Sequence, residues 1–341
     1  MKRDAEKLVF VTRPIAEQAL AELAGFARVD LWDDEMPPPR EVILKRVAGA
    51  DAILSLLTDR IDAPVIAAAP HLRVISNLAV GVDNIDLDAA TAAGVAVGHT
   101  PGVLTETTAD LAFALLMAAA RRIVEADAYT RQGRWRTWGP RVMLGRDVFD
   151  ATLGIIGWGA IGRAMARRAA GFRMNVLYAT RREKPRGKRR GGAPEEEIAG
   201  AKRVTLEELL RESDFVSLHV PLTAETRAML GASEFRVMKP GAILINTARG
   251  EVIDQRALYE ALAAGHLGGA ALDVTSPEPI APDDPLLTLP NVIVTPHIGS
   301  ASHATRLRMA QIAVRNIRDA LGGRLPAYCA NPAVRLRAPS S

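Results

Sequence analysis

Short apolar runs alternate with helix-period segments along most of the chain. Leu8–Thr12, Arg28–Trp32, Asp51–Leu56, Leu72–Asn77 and Val95–Gly98 read as strands. Between them, Ile15–Leu23, Arg40–Val47, Pro64–Ala69 and Leu87–Ala93 have the spacing of helices. Such alternation predicts a parallel sheet with helices on both faces. The theme restarts at Thr152, where Thr152-Leu153-Gly154-Ile155-Ile156 reads as a buried strand, Ile161 to Gly171 as a helix and Met174 to Ala179 as the next strand. Further strands are expected at Asp214–His219, Ala242–Asn246, Gly269–Val274 and Val292–Thr295, with helices at Leu206–Arg211 and Arg256–Ala264. Two longer helical patterns could join the units. One runs from Thr105–Thr108 to about Tyr129, the other from about Ser302 to Leu321, ahead of Gly322-Gly323. If the second packs back on the first unit, that unit is discontinuous.

The turn between the strand at Thr152 and its helix is Gly157-Trp158-Gly159-Ala160-Ile161-Gly162. Glycine-rich turns are common, but strand–turn–helix–strand is the context of a dinucleotide site. There the glycines admit a pyrophosphate to the positive end of the helix. At the tip of the next strand, where an acidic residue would bind the ribose hydroxyls of NAD, stand Thr180, Arg181 and Arg182. Guanidinium groups attract a 2′-phosphate that a carboxylate would repel. The sequence therefore predicts NADPH as the preferred cofactor, with NADH as an open alternative.

Composition narrows the class. A chain of 341 residues with 48% apolar and 24% charged content suits a globular protein of two domains. The apolar stretch Leu111–Ala120 is too short to span a bilayer, and the N-terminus leads straight into a strand without a signal-peptide pattern. Cys329 is the only cysteine, so an internal disulfide is impossible, and no Cys/His cluster has metal-ligand spacing. The expectation is a cytoplasmic protein without a metal or a membrane. The formal charge of +4 derives largely from the run Arg181–Arg190, which contains Pro185 and Gly187 and no aromatic residue. It reads as a solvated loop at the mouth of a cofactor site rather than a nucleic-acid surface.

Three later segments carry possible chemistry: Asn246-Thr247-Ala248-Arg249-Gly250, Asp273-Val274-Thr275-Ser276-Pro277-Glu278-Pro279 and Thr295-Pro296-His297-Ile298-Gly299-Ser300. Each follows an expected parallel strand, at the sheet edge where ligands bind in open α/β folds. Singly, a strand-end Arg249, a loop Glu278 between prolines and a lone His297 have ordinary structural readings. Together behind a dinucleotide turn they match the needs of 2-oxo acid reduction. A guanidinium holds the carboxylate and polarises the carbonyl, a histidine gives a proton to oxygen, and a carboxylate fixes the histidine tautomer.

From Leu8 to about Leu325 the chain resembles the D-2-hydroxyacid dehydrogenases, and within them the glyoxylate/hydroxypyruvate reductases. The resemblance is carried by Asn77 to Asp86, His99 to Thr108, Asp273 to Pro279 and Pro296 to Ser300. It implies an α/β fold of two Rossmann-like domains, a flavodoxin-like substrate domain and a doubly wound NAD(P)-binding domain, joined by two long helices. The implied boundaries are 1–102 with 300–333 for the substrate domain and 103–299 for the cofactor domain; the tail, 334–341, reads from its sequence as disordered. The resemblance further implies that His297 is the proton donor, that Glu278 orients it, and that Arg249 binds substrate beside Ser300 and the backbone N–H groups of Val80 and Gly81. Gly157 to Gly162 would meet the pyrophosphate, Thr180 to Arg182 the ribose phosphate, and Val220 and Pro221 the adenine. Thr108, Thr247, Ala248, Arg249, Asp273, His297 and Gly299 would surround the nicotinamide. Val82 and Thr275-Ser276 depart from the aromatic residues common in the wider family; Thr275-Ser276 is similar to the glyoxylate/hydroxypyruvate subgroup. Trp135 and Trp138 lie in a polar, glycine-bounded loop that the resemblance places at a homodimer interface, with Trp138 reaching the neighbour's substrate. D-lactate- or 3-phosphoglycerate-type dehydrogenases and a non-catalytic NADP sensor are the alternatives.

Overall fold

The computed structural model describes residues 7–180, 198 and 200–337. The chain divides into two compact units. One comprises the described residues up to Leu104 and from Ala301 onward; the other is Thr105–Ser300.

The first unit begins with β1 (Leu8–Val11), α1 (Glu17–Ala24), β2 (Arg28–Leu31), α2 (Arg40–Val47), β3 (Ala52–Ser55), α3 (Ala63–Ala67), β4 (Val74–Asn77), α4 (Leu87–Ala92) and β5 (Ala96–Gly98). All pairings are parallel, in the order β2-β1-β3-β4-β5. Every residue of β3, β4 and β5 is buried, which explains their mostly apolar sequences. Asp62 and Asp86 cap α3 and α4 by accepting from the N–H groups of Val65 and Ala89.

The second unit contains α5 (Thr105–Ala120), α6 (Ile123–Arg131), β6 (Thr152–Ile156), α7 (Ala160–Ala170), β7 (Asn175–Ala179), β8 (Lys202–Arg203), α8 (Leu206–Glu212), β9 (Phe215–Leu218), α9 (Ala232–Val237), β10 (Ile243–Asn246), α10 (Gln255–Ala263), β11 (Gly269–Leu272) and β12 (Val292–Val294). Its sheet is parallel throughout, ordered β12-β11-β10-β9-β6-β7-β8. Alternate strand residues feed two cores. Leu153, Ile155, Phe215 and Ile245 pack with Leu116 of α5 and Met165 of α7, whereas Val216, Leu218, Leu244 and Leu272 pack with Leu209, Phe235 and Leu258 on the opposite face. The chain leaves β6 for β7 on one side, while β9 lies on the other. That reversal opens a crevice at the carboxyl ends of β6 and β9.

The chain then returns to the first unit as α11 (His303–Leu321), capped by Ser302. Ser76 Oγ donates to the Ala313 carbonyl at 2.9 Å and Arg73 Nη1 to the Leu321 carbonyl at 2.7 Å, tying the helix to the strand β4 region.

Two expectations need correction. The helix expected to run from Thr105 to about Tyr129 is broken after Ala120. Arg122 adopts φ +54°, and the Ala120 carbonyl accepts from the Arg146 N–H at 2.8 Å instead of continuing the helical ladder. The tail expected to be disordered from residue 334 is placed as far as Arg337. Val334 is buried, the Arg337 N–H donates to the Gly94 carbonyl at 2.9 Å, and its guanidinium reaches the carbonyls of Ala69 and Pro70. Residues 338–341 lie outside the described ones. No helix among the described residues is long and apolar enough to cross a membrane, and no group of His, Cys, Asp and Glu among them could hold a metal.

Candidate active site

The three segments singled out in the sequence follow β10, β11 and β12, which are neighbours in the sheet. Asn246 closes the first turn. Its Oδ1 accepts from the Ala248 N–H at 3.0 Å and its Nδ2 donates to the Arg249 carbonyl at 2.9 Å. Gly250 then passes so close to the second segment that a Cβ there would lie 2.0 Å from the Thr275 carbonyl oxygen. The absence of a side chain at Gly250 is thus what lets Arg249 sit beside the loop that carries Glu278. Gln255 secures that loop, accepting from the Ser276 N–H at 2.9 Å while its Nε2 donates to Asp284 at 2.8 Å.

Asp273 builds the third segment. Its buried carboxylate accepts from the Thr295 hydroxyl at 2.6 Å, the Ile298 N–H at 2.8 Å and the Gly299 N–H at 2.7 Å. The Asp273 carbonyl accepts from the His297 N–H at 3.0 Å. These bonds hold His297 at φ +53°, a conformation that non-glycine residues seldom adopt. The imidazole is thereby delivered to Glu278, with Nδ1 and Oε1 2.5 Å apart. An ionised carboxylate only accepts, so Nδ1 carries the proton, and Nε2 is the ring atom left to exchange one.

The glycine turn fits a dinucleotide on three counts. Gly157 has φ +103°, and a Cβ on it would strike the His219 carbonyl at 2.6 Å, so the turn lies tight against the end of β9. A Cβ on Gly162 would meet the Gly157 oxygen at 2.1 Å, so the third glycine brings α7 onto the turn. Around Gly159 nothing among the described residues lies within 4 Å of the corresponding position, and none of their side chains caps α7. The first N–H groups of the helix thus face an open approach suited to a phosphate anion. After β10, the Thr247 hydroxyl is buried without a hydrogen-bond partner among the described residues, a polar group left available to a ligand.

The family model for the NAD-binding domain of D-isomer-specific 2-hydroxyacid dehydrogenases matches residues 113–299. The chain belongs to this family. A glyoxylate reductase of Korarchaeum cryptofilum is 54% identical over 97% of this chain and 98% of its own. One from Thermococcus litoralis is 48% identical with the same coverage. Among solved structures, a protein of Thermus thermophilus is similar with a TM-score of 0.87 and 48% identity, over 95% of this chain and 99% of that one. An NADPH-dependent glyoxylate/hydroxypyruvate reductase of Sinorhizobium meliloti, solved with NADP and malonate, is similar with a TM-score of 0.83 and 30% identity, over 98% and 100%. The D-2-hydroxyacid dehydrogenase described here is therefore an NAD(P)-dependent oxidoreductase with a Rossmann-like cofactor domain.

In this dehydrogenase the structure unites Glu278 with His297, and groups Asp273 and Thr108 around Gly299. Arg249 stands on the adjoining strand end, its Nη1 donating to the Ala248 carbonyl at 2.8 Å. Val220 and Pro221 follow β9 beside the glycine turn, and Thr180 follows β7, where Arg203 donates to its carbonyl at 3.2 Å. Arg181 and Arg182 lie outside the described residues. Ser300 closes the second unit. Trp138 is 80% exposed and Trp135 62%. Val80 and Gly81 belong to the first unit. Gln255 was not a sequence candidate, and a glutamine at the start of a helix offers no signal for its loop-holding role.

His219 is a further residue that sequence reading passed over. It stands where β9 meets the glycine turn, with Nε2 2.9 Å from Ser217 Oγ. Burial pushes its pKa from the ordinary 6.5 down to about 4. Between those values the unfolded chain binds a proton that the folded one refuses. Its contribution to stability is therefore complete above about pH 6.5 and falls away as pH drops towards 4. The difference in unfolding free energy between the parent and His219→Asn, followed by denaturant titration, should shift by up to about 3 kcal/mol across this window. A difference independent of pH would contradict the neutral, partly buried imidazole.

Proposed function

We propose that this dehydrogenase reduces glyoxylate to glycolate, and hydroxypyruvate to D-glycerate, with NADPH as its preferred cofactor. The observation that carries the reading is the His297–Glu278 pair at 2.5 Å, mounted on the same sheet edge as the dinucleotide turn. The glyoxylate reductases that share about half its residues, and Thr275-Ser276 in the loop before Glu278, support the substrate assignment.

When bound, NADPH supplies the hydride. The turn Gly157-Trp158-Gly159 and the first N–H groups of α7, at Ala160, Ile161 and Gly162, hold the pyrophosphate. Thr180, Arg181 and Arg182 hold the ribose 2′-phosphate, and Val220 and Pro221 flank the adenine. Thr108, Thr247, Ala248, Asp273 and Gly299 surround the nicotinamide. Arg249 binds the substrate carboxylate and draws electron density from the carbonyl, aided by the N–H groups of Val80 and Gly81 and by Ser300. His297 Nε2 delivers a proton to the carbonyl oxygen, while Glu278 keeps Nδ1 protonated and the ring aligned. The exposed Trp135, Trp138, Leu144 and Phe149 favour a homodimer in which Trp138 reaches the neighbour's substrate. A single cysteine suits the reducing cytoplasm.

Initial rates on both acids, each with NADPH and NADH, test this reading in the parent and in Arg181→Ala/Arg182→Ala. The parent should turn over both acids and favour NADPH. The double variant should lose roughly ten- to a hundredfold in apparent NADPH affinity and little for NADH, as expected for charge-assisted hydrogen bonds to a phosphate. Equal losses for both cofactors would remove the 2′-phosphate role. Turnover confined to pyruvate or a phosphorylated acid would reassign the substrate, and NADPH binding without turnover would favour a sensor.

A further inference from the structure

We infer that His99 is a positioning residue, which sets the direction of the Gly81 N–H through the carbonyl of Val80. The inference rests on the reading above in which Val80 and Gly81 grip the substrate carboxylate.

Three successive carbonyls of this loop are tied within the first unit. Ala79 accepts from the Thr100 N–H at 2.8 Å, Val80 from His99 Nδ1 at 2.8 Å and Gly81 from Asn77 Nδ2 at 3.0 Å. Neither the Val80 nor the Gly81 N–H donates to another of the described residues. A trans peptide is planar, with the C=O of one residue and the N–H of the next pointing in opposite directions. Fixing the Ala79 carbonyl therefore aims the Val80 N–H, and fixing the Val80 carbonyl aims the Gly81 N–H. The two amides are left directed away from their anchors, which is the arrangement that a carboxylate needs.

The two anchors differ in kind. Thr100 contributes backbone, whereas His99 contributes its side chain, so the orientation of the second peptide is under the control of one replaceable group. A carbonyl only accepts, which makes Nδ1 the protonated nitrogen. His99 is itself held, its own carbonyl accepting from Asn316 Nδ2 at 3.1 Å. That approach requires the neighbouring Gly98, where a Cβ would lie 2.8 Å from the Asn316 side chain. Asn77 completes the loop from the other end. It accepts from Ser55 Oγ at 3.0 Å and donates to Asn84 Oδ1 at 3.1 Å, and Asn84 in turn donates to the carbonyls of Leu56 and Asp59. With the loop pinned at both ends, loss of the His99 contact frees the Val80–Gly81 peptide to rotate without unravelling its surroundings.

The test compares steady-state kinetics of the full-length His99→Ala, His99→Asn and Gly81→Pro variants, together with their thermal midpoints and NADPH affinities. His99→Ala should raise the KM for glyoxylate about tenfold, with kcat within about twofold and NADPH affinity unchanged. His99→Asn, whose amide can donate to the same carbonyl, should recover most of the loss. Gly81→Pro removes the N–H itself and should raise KM at least as much. An unchanged KM in Gly81→Pro would overturn the amide grip, and the inference with it. A raised KM in Gly81→Pro beside an unchanged KM in His99→Ala would overturn the role of His99 alone. Parallel falls in kcat, NADPH affinity and thermal midpoint in His99→Ala, with no rescue by Asn, would reduce His99 to a structural residue and overturn it too.

Discussion

His297→Ala is expected to lower kcat by roughly two to four orders of magnitude, the range typical of losing a positioned general acid. The imidazole is carried by its loop and does not support it. The Asp273 carboxylate organises that loop through Thr295, Ile298 and Gly299, and none of those bonds uses the His297 ring. The variant should therefore fold and bind NADPH with nearly the parent affinity, so that the loss appears in kcat. Removing Glu278 as Glu278→Gln leaves an amide that can present either a donor or an acceptor to Nδ1, and its effect should be smaller than removal of the ring. Single-turnover rates check both variants. Substantial residual turnover in His297→Ala would mean that another group donates the proton.

Arg249→Ala should lower kcat/KM by about a thousandfold, because a guanidinium on the substrate carboxylate supplies paired charge-assisted hydrogen bonds and polarises the reacting carbonyl. Arg249→Lys should recover only part of the loss, since an ammonium keeps the charge and forfeits the planar fork. The backbone at this position is set by Asn246 on one side and by the Gly250–Thr275 approach on the other, so the substitution should change chemistry rather than fold. Steady-state kinetics on glyoxylate with saturating NADPH distinguish the cases. Equal activity of the Lys variant and the parent would leave simple charge attraction as the whole role of Arg249.

Much of this architecture was legible because the strands are buried on both faces. β6, β9, β10 and β11 are mostly apolar and almost wholly buried, and the loops after β6, β10, β11 and β12 announced themselves by Gly157, Arg249, Glu278 and His297. What escaped depends on partners distant in sequence. Nothing local ends α5 at Ala120; the Arg146 N–H takes its carbonyl. Arg337 is held by carbonyls at Ala69, Pro70 and Gly94, so a polar tail reads as loose until its partners are known. The edge strand β8 is Lys202-Arg203, two exposed residues without an apolar pattern, and the short α9 buries only Phe235.

The site shows the same division. The residue types of a proton donor and its carboxylate partner were readable, but their contact was not. It follows from the left-handed backbone at His297, which Asp273 enforces from the end of β11. Asp273 itself was expected to meet the cofactor. In the structure three hydrogen bonds from the His297 loop already occupy its carboxylate, leaving about one of its four lone-pair sites for a ligand. His99 stood inside a recognisable motif, yet only the folded loop reveals that its ring, rather than its backbone, holds Val80.

Transfer of deuterium from nicotinamide-labelled NADPH to glyoxylate tests the central claim most directly. One deuterium on C2 of the glycolate produced, formed in step with cofactor oxidation and roughly two to four orders of magnitude more slowly in His297→Ala, is the predicted result. Glycolate without label, or no cofactor oxidation in the presence of glyoxylate, would contradict hydride transfer at this site.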